Sequence, residues 1–154
     1  MRMILVAFGV AALLAAAPIQ ATTFPALTTI YVASGVFDSG GAENTGAVTS
    51  VHCSNVSGQN AQLRFLFLQI NGAVVGNLTH SLPHGETVTA STRGTVYFAD
   101  TEVSTGAINQ GVVNVESTQS AVFCSAMIVG AAGPIPNGIA LHMVRVNPHP
   151  GTVE

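Results

Sequence analysis

Past residue 21 the chain never holds a helical period for more than about two turns. Short runs rich in β-branched and aromatic residues alternate instead with clusters of Gly, Asn, Pro and Ser. That rhythm confines the chain to β architecture, a sandwich or a barrel. The runs fall at 27–36, 47–56, 62–70, 73–82, 86–92, 95–99, 107–116, 121–129 and 139–146. They predict one all-β domain over 22–154, an antiparallel two-sheet sandwich of about eight strands.

Alternation within the runs assigns faces. In 47–56, Thr49, Val51 and Cys53 share one side while Ser50, His52 and Ser54 share the other. A strand repeats every two residues, so this is a half-buried strand with Cys53 pointing inward. In 121–129 the same rule groups Val122, Cys124, Ala126 and Ile128. The run 62–70 is apolar on both sides, with Leu63, Phe65 and Phe67 against Leu66, Leu68 and Ile70. It reads as a central strand whose outer side is also covered. Asn71-Gly72 follows at once, and both residues tolerate positive φ, so a type I′ hairpin returning along 73–82 is expected. The glycine inside 107–116 marks a bulge.

The beginning of the chain carries a different pattern. Arg2 precedes an apolar run at 4–17, and Pro18-Ile19-Gln20-Ala21 ends on a small residue. Charged, apolar and small segments in that order make an export signal, too short for a stable membrane span. The expected division is a signal peptide at 1–21 and a secreted or periplasmic domain at 22–154. In such a compartment Cys53 and Cys124 are expected to form a disulfide. Neither belongs to a Cys-x-x-Cys pair, so redox catalysis and structural zinc lack support.

Charge excludes some partners. Only 7% of residues are charged, against about 25% in an ordinary soluble domain. Beyond the signal, three arginines (Arg64, Arg93, Arg145) face seven acids, and there is no lysine. Nucleic-acid binding needs a basic surface that three scattered arginines cannot build, and anionic lipid makes the same demand. Neither nucleic acid nor membrane insertion after signal cleavage is expected. A coat of Thr, Ser, Asn, Gln, Gly and Ala repels copies of itself only weakly, which leaves self-association open.

Both cysteines fall mid-strand on apolar faces, one early and one late, and a bridge there is expected to pin two sheets through the core. In this the chain resembles an immunoglobulin-like sandwich of exported bacterial proteins. The turn Leu82-Pro83-His84-Gly85-Glu86-Thr87-Val88 is similar to the Leu-x-Pro-Gly turns common in such modules. The chain has no tryptophan to pack on the bridge, and Val122 stands where the tyrosine corner would be.

Catalytic and metal-binding patterns are sparse. Asp38-Ser39-Gly40-Gly41 echoes the nucleophile loop of serine proteases, but no suitable histidine and aspartate precede it, and it reads as a turn. No Gly-x-Ser-x-Gly elbow or His-Glu-x-x-His helix occurs. Asp100 and Glu102 are close in sequence but read as a solvated edge rather than a glycosidase pair. The histidines His52, His80, His84, His142 and His149 could draw in Met127 or Met143 around copper or zinc. No compact cluster supports that, nor calcium at Asp38, Glu43 and Asn44. Asn55-Val56-Ser57 and Asn77-Leu78-Thr79 match the glycosylation pattern by chance.

No catalytic residue, metal site or cofactor is expected. The leading expectation is an exported, non-catalytic sandwich acting as a structural or binding module of the cell envelope or extracellular matrix, with a protein or glycan partner. One alternative is a pilin-like subunit that polymerises by lending a strand from 22–32. The other is a small metal-binding protein or hydrolase using surface histidines.

Overall fold

A computed structural model describes residues 26–133 and 135–146. The expected export signal at 1–21 and His149 lie outside the described residues. Among the described residues ten strands form: β1 (Thr28–Asp38), β2 (Ala47–Asn55), β3 (Ala61–Gln69), β4 (Val74–Leu82), β5 (Thr87–Ser91), β6 (Asp100–Glu102), β7 (Ile108–Ser117), β8 (Val122–Gly130), β9 (Gly138–Leu141) and β10 (Met143–Arg145). They make two five-stranded sheets, ordered β10-β1-β7-β3-β4 and β6-β5-β2-β8-β9. Every pairing is antiparallel except β5 with β6. The all-β sandwich expected from the strand rhythm is the fold. No helix among the described residues is long and apolar enough to cross a membrane.

The interior is built from the faces that alternation assigns. Leu63, Phe65 and Phe67 of β3, Val113 and Val115 of β7, and Val51 and Cys53 of β2 are fully buried between the sheets. Each large side chain removed from water in this way stabilises the fold by about 1.5–3 kcal/mol. The irregularity expected near Gly111 is present on both sides of it. Register shifts separate Ser34 from Val36 and Val36 from Asp38, and Gly35 adopts a φ of 84°. A Cβ on Gly111 would lie 2.5 Å from the Leu68 carbonyl oxygen, so only glycine fits this approach of β7 to β3.

Several expectations change. The disulfide forms, but Cys53 stands directly opposite Cys124 in the β2–β8 register, with Cα atoms 4.2 Å apart. It therefore staples two neighbouring strands of one sheet and does not tie the two sheets together. Both side chains do face inward; what alternation cannot specify is that β2 and β8 are adjacent.

The hairpin after β3 is not type I′. The Gly72 amide donates to Gln69 O and the Gln69 amide to Ala73 O, each at 2.9 Å. Gly72 has a φ of 81°, while Asn71 is not in the positive region. This is a three-residue loop with glycine in the left-handed position, the next commonest hairpin form.

The run 95–99 is not a strand. It folds over the outer face of the second sheet, where Tyr97 and Phe98 pack on Val48, Val129 and Ala131. Hence β2, not β3, is covered on both faces: Val48 and Ser50 on its outer side are fully buried. The outer side of β3 is only half-covered at Leu66 and Leu68, and Ile70 is 74% exposed. The run 139–146 divides at His142, so that β9 joins β8 in one sheet and β10 joins β1 in the other.

Candidate functional site

The functional candidate that the fold assembles lies where the β1–β2 loop meets the segment after β5. Asp38 closes β1, and its Oδ1 accepts a 2.8 Å hydrogen bond from the Gly40 amide. The same oxygen lies 3.1 Å from Arg93 Nη2, with the Arg93 and Asp38 side chains 6% and 1% exposed. Nη2 also donates to Ser39 Oγ and to the Ala47 carbonyl, each at 3.3 Å. One guanidinium thus ties both ends of the 39–46 loop to the segment that follows β5.

The pair leaves hydrogen-bonding capacity unused. Asp38 Oδ2, Arg93 Nε and Arg93 Nη1 are buried without a protein partner. Such atoms are costly in an interior, by about 1–3 kcal/mol each and more for charged groups. Beside them is a cavity of about 160 Å³. Asp38, Arg93 and Thr92 are its buried walls, while Glu102 and Ser104 stand at its exposed side. Gly40, Gly41 and Gly106 complete the lining, all with positive φ. Among the described residues the two non-glycine positions with positive φ, Asn44 at 58° and Ser104 at 55°, belong to the same two loops. Backbone held in rare conformations of this kind gathers at sites where geometry matters more than stability.

The lining charges are Arg93 against Asp38 and Glu102, so an anion is not favoured. A bare cation is disfavoured because the Asp38 carboxylate already serves a guanidinium, which leaves Glu102 alone. This bears on the calcium candidates. Asp38 is committed to Arg93; Asn44 donates its amide to Gly94 O at 3.2 Å, and its side-chain oxygen is buried without a partner. Glu43 lies over Gly94, where an added Cβ would meet its Oε1 at 2.9 Å. Among the described residues no three His, Cys, Asp or Glu side chains come together to hold a metal.

Other sequence candidates are dispersed. Ser39 exchanges hydrogen bonds with the backbone of Ala47 and receives one from Arg93, as a turn residue does. Asp100 accepts from the Thr95 amide at 3.1 Å and Glu102 from Ser104 Oγ at 3.1 Å, each serving its own turn. His84 Nδ1 accepts from the Gly58 amide at 3.0 Å. His80 lies on β4, and His142 is the residue between β9 and β10. Met127 packs on the outer cluster and Met143 against the interior. Asn55 is fully buried, with Nδ2 donating to Gln59 O and Leu82 O, so it offers no acceptor for a glycan. Asn77 is exposed on β4.

His52 occupies the outer cluster of the second sheet. Its Nδ1 is 2.8 Å from Thr89 Oγ1, and its ring meets Phe98 edge-on at 4.7 Å. Burial lowers its pKa from the ordinary 6.5, with the Asp100 charge acting in the opposite sense.

The remaining arginines are structural. Arg64 of β3 pairs with Glu116 of β7 across the sheet. Arg145 donates to Tyr31 Oη at 2.7 Å and to the Ser120 and Val122 carbonyls, between the rings of Tyr31 and Phe123. The Asp38–Arg93 pair escapes a reading of the sequence because its members are far apart in the chain. The available sign was a lone arginine between Thr92 and Gly94 in a chain otherwise almost free of basic residues. No family model, curated protein or solved structure matches this chain.

Proposed function

We propose that this chain is an exported, non-catalytic β-sandwich, secreted or periplasmic, that serves as a binding module of the cell envelope or extracellular matrix, with a glycan as its ligand class. The observation carrying the reading is the cavity over the Asp38–Arg93 pair. Because that pair is already charge-balanced, the cavity suits a neutral ligand, and the Ser104 hydroxyl and Glu102 carboxylate at its exposed side suit hydroxyl groups, which both give and accept hydrogen bonds. A volume of about 160 Å³ fits one sugar ring and little more. The Cys53–Cys124 bridge supports export, since such bonds persist in oxidising compartments.

Two measurements test the halves separately. Amide spectra of the purified chain, titrated with single monosaccharides, should move first at Gly40, Gly41, Ser104 and Gly106. Glu102→Gln, at an exposed position, should weaken that response without altering the fold. Spectra unmoved by every sugar, together with a silent glycan array, would remove the ligand claim. Free thiols at Cys53 and Cys124 in protein taken from its native compartment would remove the export claim.

A further inference from the structure

The four sheet edges of this sandwich are unequal. β6 and β10 have three residues each and β9 has four, short enough to offer little to another strand. β4 has nine, bonded to β3 on one side and, among the described residues, to no strand on the other. Proteins that stay monomeric guard such an edge with lysine, proline, a bulge or an inward charge. The β4 sequence, Val74-Val75-Gly76-Asn77-Leu78-Thr79-His80-Ser81-Leu82, holds no proline and no Asp, Glu, Lys or Arg. Its one register shift lies at the hairpin end, between Phe67 and Leu68 of the partner strand. The strand is also held firmly from behind. Val103 and Thr105 methyl groups fill the place of the missing Gly76 side chain, each 2.7 Å from where its Cβ would be.

We propose that two copies of this chain join edge to edge through β4, antiparallel about a two-fold axis, so that their β3–β4 sheets become one continuous sheet. An identical strand supplies the backbone complement that this edge lacks, and two-fold symmetry makes the pairing antiparallel. With the axis at Thr79, Thr79 meets its own copy and Asn77 meets Ser81. All three are exposed and can hydrogen-bond across the seam. On the other side Leu78 meets His80. The net charge of −3 places no formal charge on this strand, so nothing there opposes the approach of a like-charged copy.

Gly76 to Leu82 is about 24 Å of strand at 3.4 Å per residue, a seam below the standard interface size. The dimer is therefore concentration-dependent and not obligate. It also closes at two, because pairing uses the one long edge among the described residues. This differs from strand-lending polymerisation by 22–32, since Thr28 to Asp38 is already bonded by β7 and, over part of its length, by β10.

Sedimentation of the purified chain over a wide concentration range should give a monomer that passes to a dimer and no further, with little dependence on salt. Thr79→Lys sets two like charges on the axis and should leave a monomer at every concentration, with unchanged far-UV spectrum. Thr79→Cys should form an intermolecular disulfide on mild oxidation, because neither native cysteine is free. Gln110→Cys, exposed on β7, should not. A native chain that stays monomeric at the highest soluble concentration would overturn the inference. So would a dimer indifferent to Thr79→Lys, or assembly beyond two.

Discussion

Replacing Arg93 by methionine tests the site most directly. Asp38 is 1% exposed and holds two bonds on Oδ1, one from the Gly40 amide and one from Arg93. Without the guanidinium the carboxylate stays buried with a single amide donor. Removing one member of a buried ion pair costs about 3–5 kcal/mol, mostly as the penalty for the charge left behind. Set against a total stability of about 5–15 kcal/mol, that is a large loss. The double change Asp38→Leu with Arg93→Met removes both charges together with the three orphaned atoms, and should recover most of the loss or all of it. Urea unfolding of the native chain, both single variants and the double variant gives the coupling energy. An Arg93→Met cost below about 1 kcal/mol would refute the reasoning, because a buried pair cannot be broken so cheaply. A double variant as unstable as the sum of the singles would refute it as well.

Two other perturbations have defined signs. Reduction should destabilise the fold by about 4 kcal/mol in the chain-entropy model, given the sequence separation of 71 between Cys53 and Cys124. Melting with and without a phosphine reductant should differ by more than about 10 °C, with the cold spectra alike because nine β2–β8 pairs hold the register; a shift below about 3 °C would contradict this. At His52 burial lowers the folded pKa below 6.5, so the unfolded chain takes up the proton more readily. The stability it contributes is whole above 6.5 and is lost as pH falls through that value toward the folded pKa. The melting advantage of the native chain over His52→Gln should therefore shrink between about pH 7.5 and about pH 5, and a constant difference would show that the imidazole is not held neutral.

What the sequence reveals and conceals follows from the range of each signal. Alternation is local, so it correctly turned Cys53, Cys124 and Val122 inward. It says nothing about which strands lie side by side, and so the bridge was expected between sheets when it lies within one. Thr95 to Ala99 has strand-like residues, yet Tyr97 and Phe98 gain more by covering Val48 and Val129 than by extending a sheet. At His142 the chain leaves one sheet for the other, and no breaker residue announces the corner. The Asp38–Arg93 pair is the extreme case, joined through tertiary structure alone. The sequence groups Asp38 with Glu43 and Asn44 as oxygen ligands for calcium, whereas the fold gives it a cation from the chain itself.

The scarcity of charge links the interior to the surface. Arg93 anchors the loop between β1 and β2, Arg145 binds the carbonyls that lead into β8, and Arg64 spans β3 and β7. Each of these three cations is spent joining segments of one molecule, and each has an acid or backbone carbonyls as its counterpart. The outer surface is left to neutral polar groups, scattered exposed apolar side chains such as Ile70 and Ile139, and a small negative net charge. Long-range repulsion between copies is then weak, and the only protection left to an edge strand is to be short. Three edges have that protection and β4 does not. A nine-residue uncharged edge would be a liability in a chain selected to remain alone; where two copies meet on it, its lack of charge is what permits the contact.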